Sequence, residues 1–149
     1  MSTAPKPASP EFEKAVRDSF AKQGLMGTIG AWLVEVSPGR VVIELPYSWR
    51  VAQSEGVFQS AIAGALAETA AGHAAMGLMP AGGEVQTVEY KINFTAPAKG
   101  GLLRAEGQVV QSSRSLSTVH VDIECVDNDK STACAVMQAT IRHVAKTGR

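Results

Sequence analysis

A run of small and apolar residues at positions 56–78, GVFQSAIAGALAETAAGHAAMGL, constrains the fold of this chain more than any other segment. Its eight alanines, together with Gly64 and Gly72, would make a helix thin, and Glu68 is its one side chain charged at neutral pH. Because helices that lack a polar face are usually buried, the run predicts a central helix closely wrapped by the rest of the fold. A carboxylate in that setting is costly unless it is compensated, so Glu68 is a candidate functional acid.

The length and charge of the chain exclude several classes of protein. Its 149 residues predict one domain with a substantial core. The 14 basic and 14 acidic residues cancel without a Lys/Arg-rich run, which argues against a nucleic-acid surface or a polybasic membrane patch. The start lacks the apolar stretch of a secretory signal, and the central run is too weakly hydrophobic to span a membrane. We therefore expect a cytoplasmic protein that binds neither nucleic acid nor membrane.

The two cysteines, Cys125 and Cys134, flank a turn-like segment, VDNDKST. If the flanking strands form a hairpin, a disulfide is geometrically conceivable, but a reducing cytosol favours two free, half-buried thiols. Neither cysteine lies in a metal-ligand spacing with His73, His120 or His143, so the sequence predicts no metal site.

Before the central run, the pattern predicts an arm, a helix and a hairpin. Residues 1–9, rich in proline and small polar residues, predict a disordered arm, and residues 10–149 form the single domain. Phe12, Val16 and Phe20 follow a helical period that stops around residue 24. Two strands at 28–36 and 41–45, separated by the turn SPGR, form the hairpin.

After the central run, residues 80–83 (PAGG) break the chain and the period changes to that of strands. Alternation in the first strand, residues 87–94, divides the side chains between two faces. The predicted apolar face holds Val88, Tyr90, Ile92 and Phe94, and the other face holds Thr87, Glu89, Lys91 and Asn93.

Three further strands at 102–110, 118–125 and 133–144 complete an antiparallel series, with Gly107 as a candidate bulge. Short connections imply antiparallel neighbours, and a sheet that outnumbers helix must curl round the single long helix to cover it. The sequence therefore predicts the α+β class, with a curved antiparallel sheet wrapped around one long central helix. The other face of the sheet would meet solvent or a second subunit.

Three stretches resemble the hotdog-fold thioesterases, in particular the phenylacetate-degradation-type acyl-coenzyme A thioesterases. They are residues 53–72, the strand VEYKINF with APA after it, and the alternating C-terminal strands. The resemblance covers about residues 25–146. It implies the hotdog fold and hydrolysis of an acyl-coenzyme A thioester to free acid and coenzyme A, without a separate cofactor. It also implies a homodimer or homotetramer.

In this family a His-Gly-Gly step precedes the central helix, and an acid follows nine residues after the histidine. Counting back nine residues from Glu68 reaches Gln59, so this chain keeps the acid and carries Gln59, Ser60 and Ala61 in place of the tripeptide. The resemblance makes the backbone N–H of Ser60 the group that faces the thioester carbonyl, with Gln59 and Ala61 as neighbouring substrate-binding residues.

Two more family positions carry suitable polar residues: Gln53, beside the attacking water, and Thr87, ten residues before the proline that ends its strand. In family enzymes one subunit supplies the positions of Gln53 and Ser60, and the other supplies those of Glu68 and Thr87. Arg114, in the turn SSRS, is a candidate for a phosphate of coenzyme A, although a solvated hairpin turn is the alternative.

The implied chemistry requires that the tetrahedral oxyanion is stabilised, which N–H groups at a helix N-terminus do with a favourable dipole. Glu68 would act either as a nucleophile, through a mixed anhydride, or as a general base on water. Purely structural roles stay open: a helix carboxylate that reaches solvent for Glu68, a loop amide for Gln53, a strand threonine for Thr87 and a helix N-cap for Ser60.

His73 is a less suitable partner for the acid, because five residues correspond to about 140° of helix rotation. We expect it to be a core or interface histidine. Two other functions remain open. Replacement of the tripeptide would suit a non-catalytic protein that binds acyl-coenzyme A, whereas a dehydratase or hydratase would need a catalytic histidine in a setting that this sequence lacks.

Overall fold

The computed structural model of the chain describes residues 5–7, 9–80 and 82–145. Within these residues, two short helices and four strands precede the long helix, and four long strands follow it. The elements are α1 (Phe12–Ala21), α2 (Gly24–Ile29), β1 (Trp32–Ser37), β2 (Arg40–Pro46), a 3₁₀ turn (Trp49–Val51), β3 (Ala52–Ser54), β4 (Val57–Phe58), α3 (Ser60–Met76), β5 (Glu84–Phe94), β6 (Leu102–Ser112), β7 (Leu116–Asp127) and β8 (Lys130–Val144). Residues 1–4 and 8 of the predicted arm lie outside the described residues.

Six of these strands form one antiparallel sheet in the order β1-β2-β6-β7-β8-β5, and β3 pairs with β4 separately. Helix α3 packs against five strands of this sheet, β2, β5, β6, β7 and β8. The predicted class, an α+β fold with an antiparallel sheet around one long helix, is confirmed. None of the described helices is long and apolar enough to cross a bilayer.

Helix α3 is buried on nearly all sides, as its composition predicts. Eleven of its 17 residues are buried. Strand β6 lies tightly against α3 at Gly107, where an added Cβ would lie 2.8 Å from the carbonyl oxygen of Ala70. The absence of a side chain at Gly107 therefore allows β6 to pack directly against the backbone of α3. The prediction that it marks a bulge is wrong, because the register of β6 shifts between Val109 and Gln111.

The N-terminal region is partly as predicted. Helix α1 buries Val16 and ends at Ala21. The predicted strand 28–36 is wrong in its first part, because Gly24–Ile29 is helical and strand β1 begins at Trp32. Gly30, at φ 83°, ends α2 in the left-handed conformation that glycine adopts without strain, and this turns the chain into the strand.

Strand β5 departs from strict alternation, which changes the position of Thr87. Its pairing with β8 shifts register between Thr87 and Glu89, so the strand carries a bulge at Val88. Thr87 pairs with Ile141, a fully buried residue of the sheet face that α3 covers. The prediction that Thr87 lies opposite the apolar face is therefore wrong: the extra residue turns it towards the helix.

The hairpin that joins β7 and β8 turns through Asn128 and Asp129, both at positive φ, which is the geometry of a type I′ turn. Cys125 and Cys134 lie on either side of it, and both are free and buried. The prediction of free thiols is confirmed, although they are more deeply buried than expected. The hydrogen bond with Cys134, together with burial, raises the pKa of the Cys125 thiol, so this sulfur is held in the thiol form.

Candidate active site

Glu68 lies in the third turn of α3 and points towards β5. Its Oε1 accepts a hydrogen bond from the hydroxyl of Thr87. Helix α3 places Glu68 next to β5, and the bulge at Val88 orients the Thr87 side chain towards it. We call Glu68 and Thr87 the acid pair.

The acid pair lines a cavity of about 360 Å³ between the end of α1, the middle of α3 and the start of β5. This volume is large enough for a small organic group. Polar and charged side chains form much of its wall. The lining residues are Ser19, Lys22, Gln23, Glu68, Thr69, Gly72, His73, Met76, Glu84, Val85 and Thr87.

His73 also lines this cavity, although it does not share a helix face with Glu68. Its side chain is buried, and its Nδ1 donates to the carbonyl oxygen of Thr69 at 2.8 Å. The centres of the His73 and Phe20 rings are 5.8 Å apart in a T-shaped arrangement. Its Nε2 has no partner among the described residues. Burial lowers the pKa of His73, against the opposing effects of the Thr69 hydrogen bond and Glu68. It is the core histidine that the sequence predicts, with one ring nitrogen unsatisfied.

The start of α3 is held rigidly by Gln59. Its backbone N–H donates to the carbonyl of Val51 at 2.8 Å, and its own carbonyl accepts from Ile62 at 2.9 Å. Gln59 is thus the N-cap, and Ser60 is the first helical residue. The alternative role of Ser60 as N-cap is therefore wrong.

The backbone N–H of Ser60, the predicted donor to the substrate, has an internal partner. It donates to Oε1 of the Gln59 side chain at 3.0 Å, on the exposed side of the helix start. The next N–H, that of Ala61, has no acceptor in the described part of the chain. Of these two backbone N–H groups at the positive end of a 17-residue helix, one is therefore bonded to an exposed side chain, and the other has no partner among the described residues.

Gln53 and Ser60 share a second cavity of about 350 Å³, and we call them the amide pair. The wall of this cavity comes from β3, β4, the start of α3 and the end of β5. Its lining residues are Gln53, Val57, Phe58, Ser60, Ala63, Phe94, Thr95, Ala96, Pro97, Ala98 and Cys134. The structure thus brings the four candidate catalytic residues together as two pairs in separate cavities, and Ser60 and Glu68 are about 12 Å apart along α3.

The remaining candidates lie on the surface. Arg114 is exposed in the turn between β6 and β7 and lines neither cavity, and Ala61 is exposed beside Ser60. Within the described ranges, no group of three His, Cys, Asp or Glu side chains has the arrangement of a metal site. The sequence pattern did not predict the hydrogen bond from the Ser60 N–H to the Gln59 side chain. The signal that could have indicated it is a polar side chain at the start of a helix.

Comparison with known proteins connects this geometry to a family. The model of the Thioesterase superfamily matches residues 58–132, half of the chain. A thioesterase family protein from Silicibacter pomeroyi is 34% identical, and its crystal structure superimposes with a TM-score of 0.87 over 89% of this chain and 98% of that one.

Two more distant structures share the fold. A thioesterase enzyme from Staphylococcus aureus, solved as a variant, is 23% identical over 81% of this chain and 98% of its own, with a TM-score of 0.75. The PaaI protein from the phenylacetic acid degradation operon of E. coli is 16% identical over 94% and 98%, with a TM-score of 0.81. The predicted hotdog fold is confirmed, and the chain belongs to the Thioesterase superfamily.

Proposed function

We propose that this protein hydrolyses an acyl-coenzyme A thioester to a free acid and coenzyme A, in a site that two copies of the chain build together. The observation that carries the proposal is the contact between Glu68 and Thr87 at a cavity that can hold an acyl group. Membership of the thioesterase superfamily supports thioester hydrolysis as the reaction class.

In this proposal Glu68 supplies the attacking oxygen or activates it. The Thr87 hydroxyl occupies one lone pair of Oε1, which orients the carboxylate and leaves Oε2 for the reacting group. That oxygen attacks the carbonyl carbon as a nucleophile or takes a proton from a water that attacks it. In both routes the coenzyme A thiolate leaves and collects a proton. In the nucleophilic route a water then hydrolyses the mixed anhydride on Glu68 and restores the carboxylate, whereas in the general-base route the attacking water itself becomes part of the free acid.

The start of α3 supplies the stabilisation of the oxyanion. Ser60 and Ala61 present backbone N–H groups at the positive end of the helix, and the tetrahedral oxygen needs donors of this kind. For the Ser60 N–H to act, the thioester oxygen must take the place of Gln59 Oε1. Gln53, in the same cavity, is a suitable side chain to hold a water near the carbonyl.

Strand β5 supports a site shared between two copies. It is an edge strand of the sheet, and Val88, Tyr90 and Phe94 on it are 58%, 47% and 50% exposed. An exposed apolar edge strand suits pairing with another strand, and symmetric dimers pair identical surfaces. Antiparallel pairing of β5 with its own copy would set the Phe94 end of one strand opposite the Thr87 end of the other.

That pairing brings the two halves of the site together. Phe94 lines the cavity of the amide pair, and Thr87 lines the cavity of the acid pair. The amide pair of one copy would therefore face the acid pair of the other across the seam, and a homodimer would hold two such sites. Two dimers could associate further into a homotetramer.

The Staphylococcus aureus relative gives independent support. It has been solved once with a glutamate and once with a glutamine replaced by alanine, and those two residues are fifteen positions apart in its sequence. Gln53 and Glu68 are separated by the same number of residues here.

Mixing two inactive variants tests the roles of Ser60 and Glu68 and whether each site is built from two copies of the chain. Ser60→Pro removes one amide hydrogen, and Glu68→Gln removes the carboxylate. If each site takes Ser60 from one copy and Glu68 from the other, a mixed dimer holds one intact site. Equal amounts of both variants, refolded or expressed together, should regain about a quarter of the parent rate.

The outcomes separate the alternatives. No recovery in a verified mixed dimer would contradict a shared site. No hydrolysis by the parent on a panel of short, long and aromatic acyl-coenzyme A esters, with binding retained, would support the non-catalytic binding protein instead. Hydrolysis that is unchanged by Glu68→Gln would contradict the role of the acid.

A further inference from the structure

We infer that Trp49 and Arg50 form the platform for the adenine nucleotide end of the coenzyme A thioester, with Lys99 as a second contact for its phosphates. The inference rests on the proposed function, because it names where the part of that substrate remote from the carbonyl binds.

Trp49 is the most exposed large apolar side chain of the described residues, at 78% exposure. An indole that packs against a partner buries a large apolar area, so this exposed side chain is a candidate contact surface. The guanidinium carbon of Arg50 lies 5.6 Å from the centre of the indole ring, at the distance of a cation–π contact. The pair thus presents a flat aromatic ring with a permanent positive charge over one of its faces.

The position of this pair is fixed relative to the start of α3. Both residues belong to the 3₁₀ turn Trp49–Val51, and the carbonyl of Val51 accepts the backbone N–H of Gln59 at 2.8 Å. Val51 itself is 2% exposed and anchors the turn in the core. The platform is therefore tied to the residue that precedes the Ser60 amide, and it lies outside the lining of the cavity of the amide pair.

Lys99 lies on the neighbouring segment. It forms an isolated bridge with Val57, two residues before Gln59, and its side chain is exposed. A hydrogen bond links this segment to the chain just before the 3₁₀ turn. The N–H of Tyr47, two residues before Trp49, donates to the carbonyl of Gly101, two residues after Lys99, at 2.8 Å.

The charge of this surface suits an anion. Arg50 and Lys99 are its cations, and Glu55 is the one acidic side chain between residues 47 and 60. The positive end of α3 adds to them. Coenzyme A carries its adenine, a phosphate on the ribose and a diphosphate at the end remote from the thioester. An aromatic face for the base and a guanidinium for phosphate are the groups that recognise such a nucleotide.

The chain offers a direct fluorescence test, because Trp49 and Trp32 are its two tryptophans. Trp32→Phe leaves Trp49 as the reporter, and Trp49→Phe leaves Trp32 as the matched control. Titration with adenosine 3′,5′-bisphosphate should quench the fluorescence of the first protein and leave the second unchanged. An equal response in both, or none in the first, would overturn the inference.

The role of Arg50 is tested by a second nucleotide. Adenosine 5′-monophosphate, which lacks the ribose 3′-phosphate, should bind the Trp32→Phe protein more weakly than the bisphosphate does. Adding Arg50→Gln should remove most of that difference, and Lys99→Gln should reduce it less. A difference that persists in both would show that the phosphate is held elsewhere.

Turnover gives a readout that distinguishes this inference from the proposed function. Trp49→Ala should raise KM for acyl-coenzyme A about tenfold and leave kcat nearly unchanged. Nucleotide binding at Trp49 without hydrolysis by any protein would contradict the proposed function alone. Hydrolysis with no response of Trp49 fluorescence to the nucleotide would overturn the platform. A change of oligomeric state in Trp49→Ala would also overturn it, and would assign the indole to a subunit interface.

Discussion

The amide pair and the acid pair are built in different ways. Gln53 and Ser60 are seven residues apart in sequence, and the turns and caps between them bring them into one cavity. Glu68 and Thr87 come from a helix and an edge strand that are joined through the rest of the fold. The first pair therefore depends on local backbone geometry, and the second depends on the register of the sheet.

The two pairs also differ in their electrostatics. The cavity of the acid pair is lined by Glu68, Glu84, His73 and Lys22, so ionisable side chains form part of its wall. Gln53 and Ser60 carry no charge at any pH near neutrality, and the amide pair acts through dipoles. Substitutions at the amide pair should therefore act through hydrogen-bond dipoles, whereas Glu68→Gln removes a charged group from the acid pair.

Among variants that leave the Glu68 carboxylate in place, the largest effect should come from Ser60→Pro. Proline is accepted at the first helical position, and Gln59, at φ −62° and ψ 132°, has a backbone conformation compatible with a following proline. The variant thus loses one amide hydrogen and keeps the helix, and kcat/KM should fall about 100- to 1,000-fold. Ser60→Ala retains the N–H and should stay near the parent. Equal rates for the two variants would show that the amide has no part in the reaction.

Thr87→Val should have the next largest effect. It keeps the shape of the side chain and removes the hydroxyl that donates to Glu68. Hydrogen bonds to charged groups contribute roughly 1.5–3 kcal/mol, which corresponds to about a 10- to 100-fold loss of kcat/KM. Thr87→Ser, which keeps the donor, should recover most of the rate. A serine variant as slow as the valine variant would mean that the methyl group, not the hydroxyl, is what matters.

Gln59→Met should change the rate by less, and in the opposite direction. Methionine keeps the length of the side chain but lacks the oxygen that holds the Ser60 N–H, so the amide becomes free for the thioester. One exposed hydrogen bond corresponds to about a two- to tenfold gain in kcat/KM. Gln59→Glu should lower the rate, because a carboxylate binds a helix N-terminus more strongly than an amide does. A slower methionine variant would mean that Gln59 assists the substrate.

The smallest effect concerns stability and pH. Burial lowers the pKa of His73 below its ordinary value of 6.5, so the folded state holds the neutral ring. Below about pH 6.5 the unfolded chain takes up a proton that the folded state does not, and the free energy of unfolding falls as the pH decreases. His73→Phe keeps an aromatic ring against Phe20 and should make the decline between pH 7 and 5 shallower. Denaturant unfolding at both pH values measures this, and parallel curves would contradict it.

Prediction from the sequence succeeded where composition alone decides the outcome. A run with one charged residue and no polar face must be buried, whichever elements surround it, and α3 is buried on nearly all sides. The α+β class followed from the order of the elements, because short connections leave antiparallel pairing as the available arrangement.

Prediction failed where the backbone departs from a regular period. Alternation set Thr87 on the wrong face, because the bulge at Val88 adds one residue that no side-chain pattern reveals. Serine is the better N-cap by propensity, yet Gln59 has that position because its N–H is bonded to Val51. Helix α2 was missed because six residues are too few for a clear helical period.

The sequence by itself determined that one acid would lie in a thin, buried helix, because apolar burial depends on the side chains of that helix. The tertiary structure alone decided that Thr87 donates to Glu68 and that Gln59 occupies the Ser60 amide. These contacts depend on strand register and on the direction in which individual donors point. Such directional hydrogen bonds are sensitive to a shift of one residue, whereas the burial of a helix that is apolar on all sides is not.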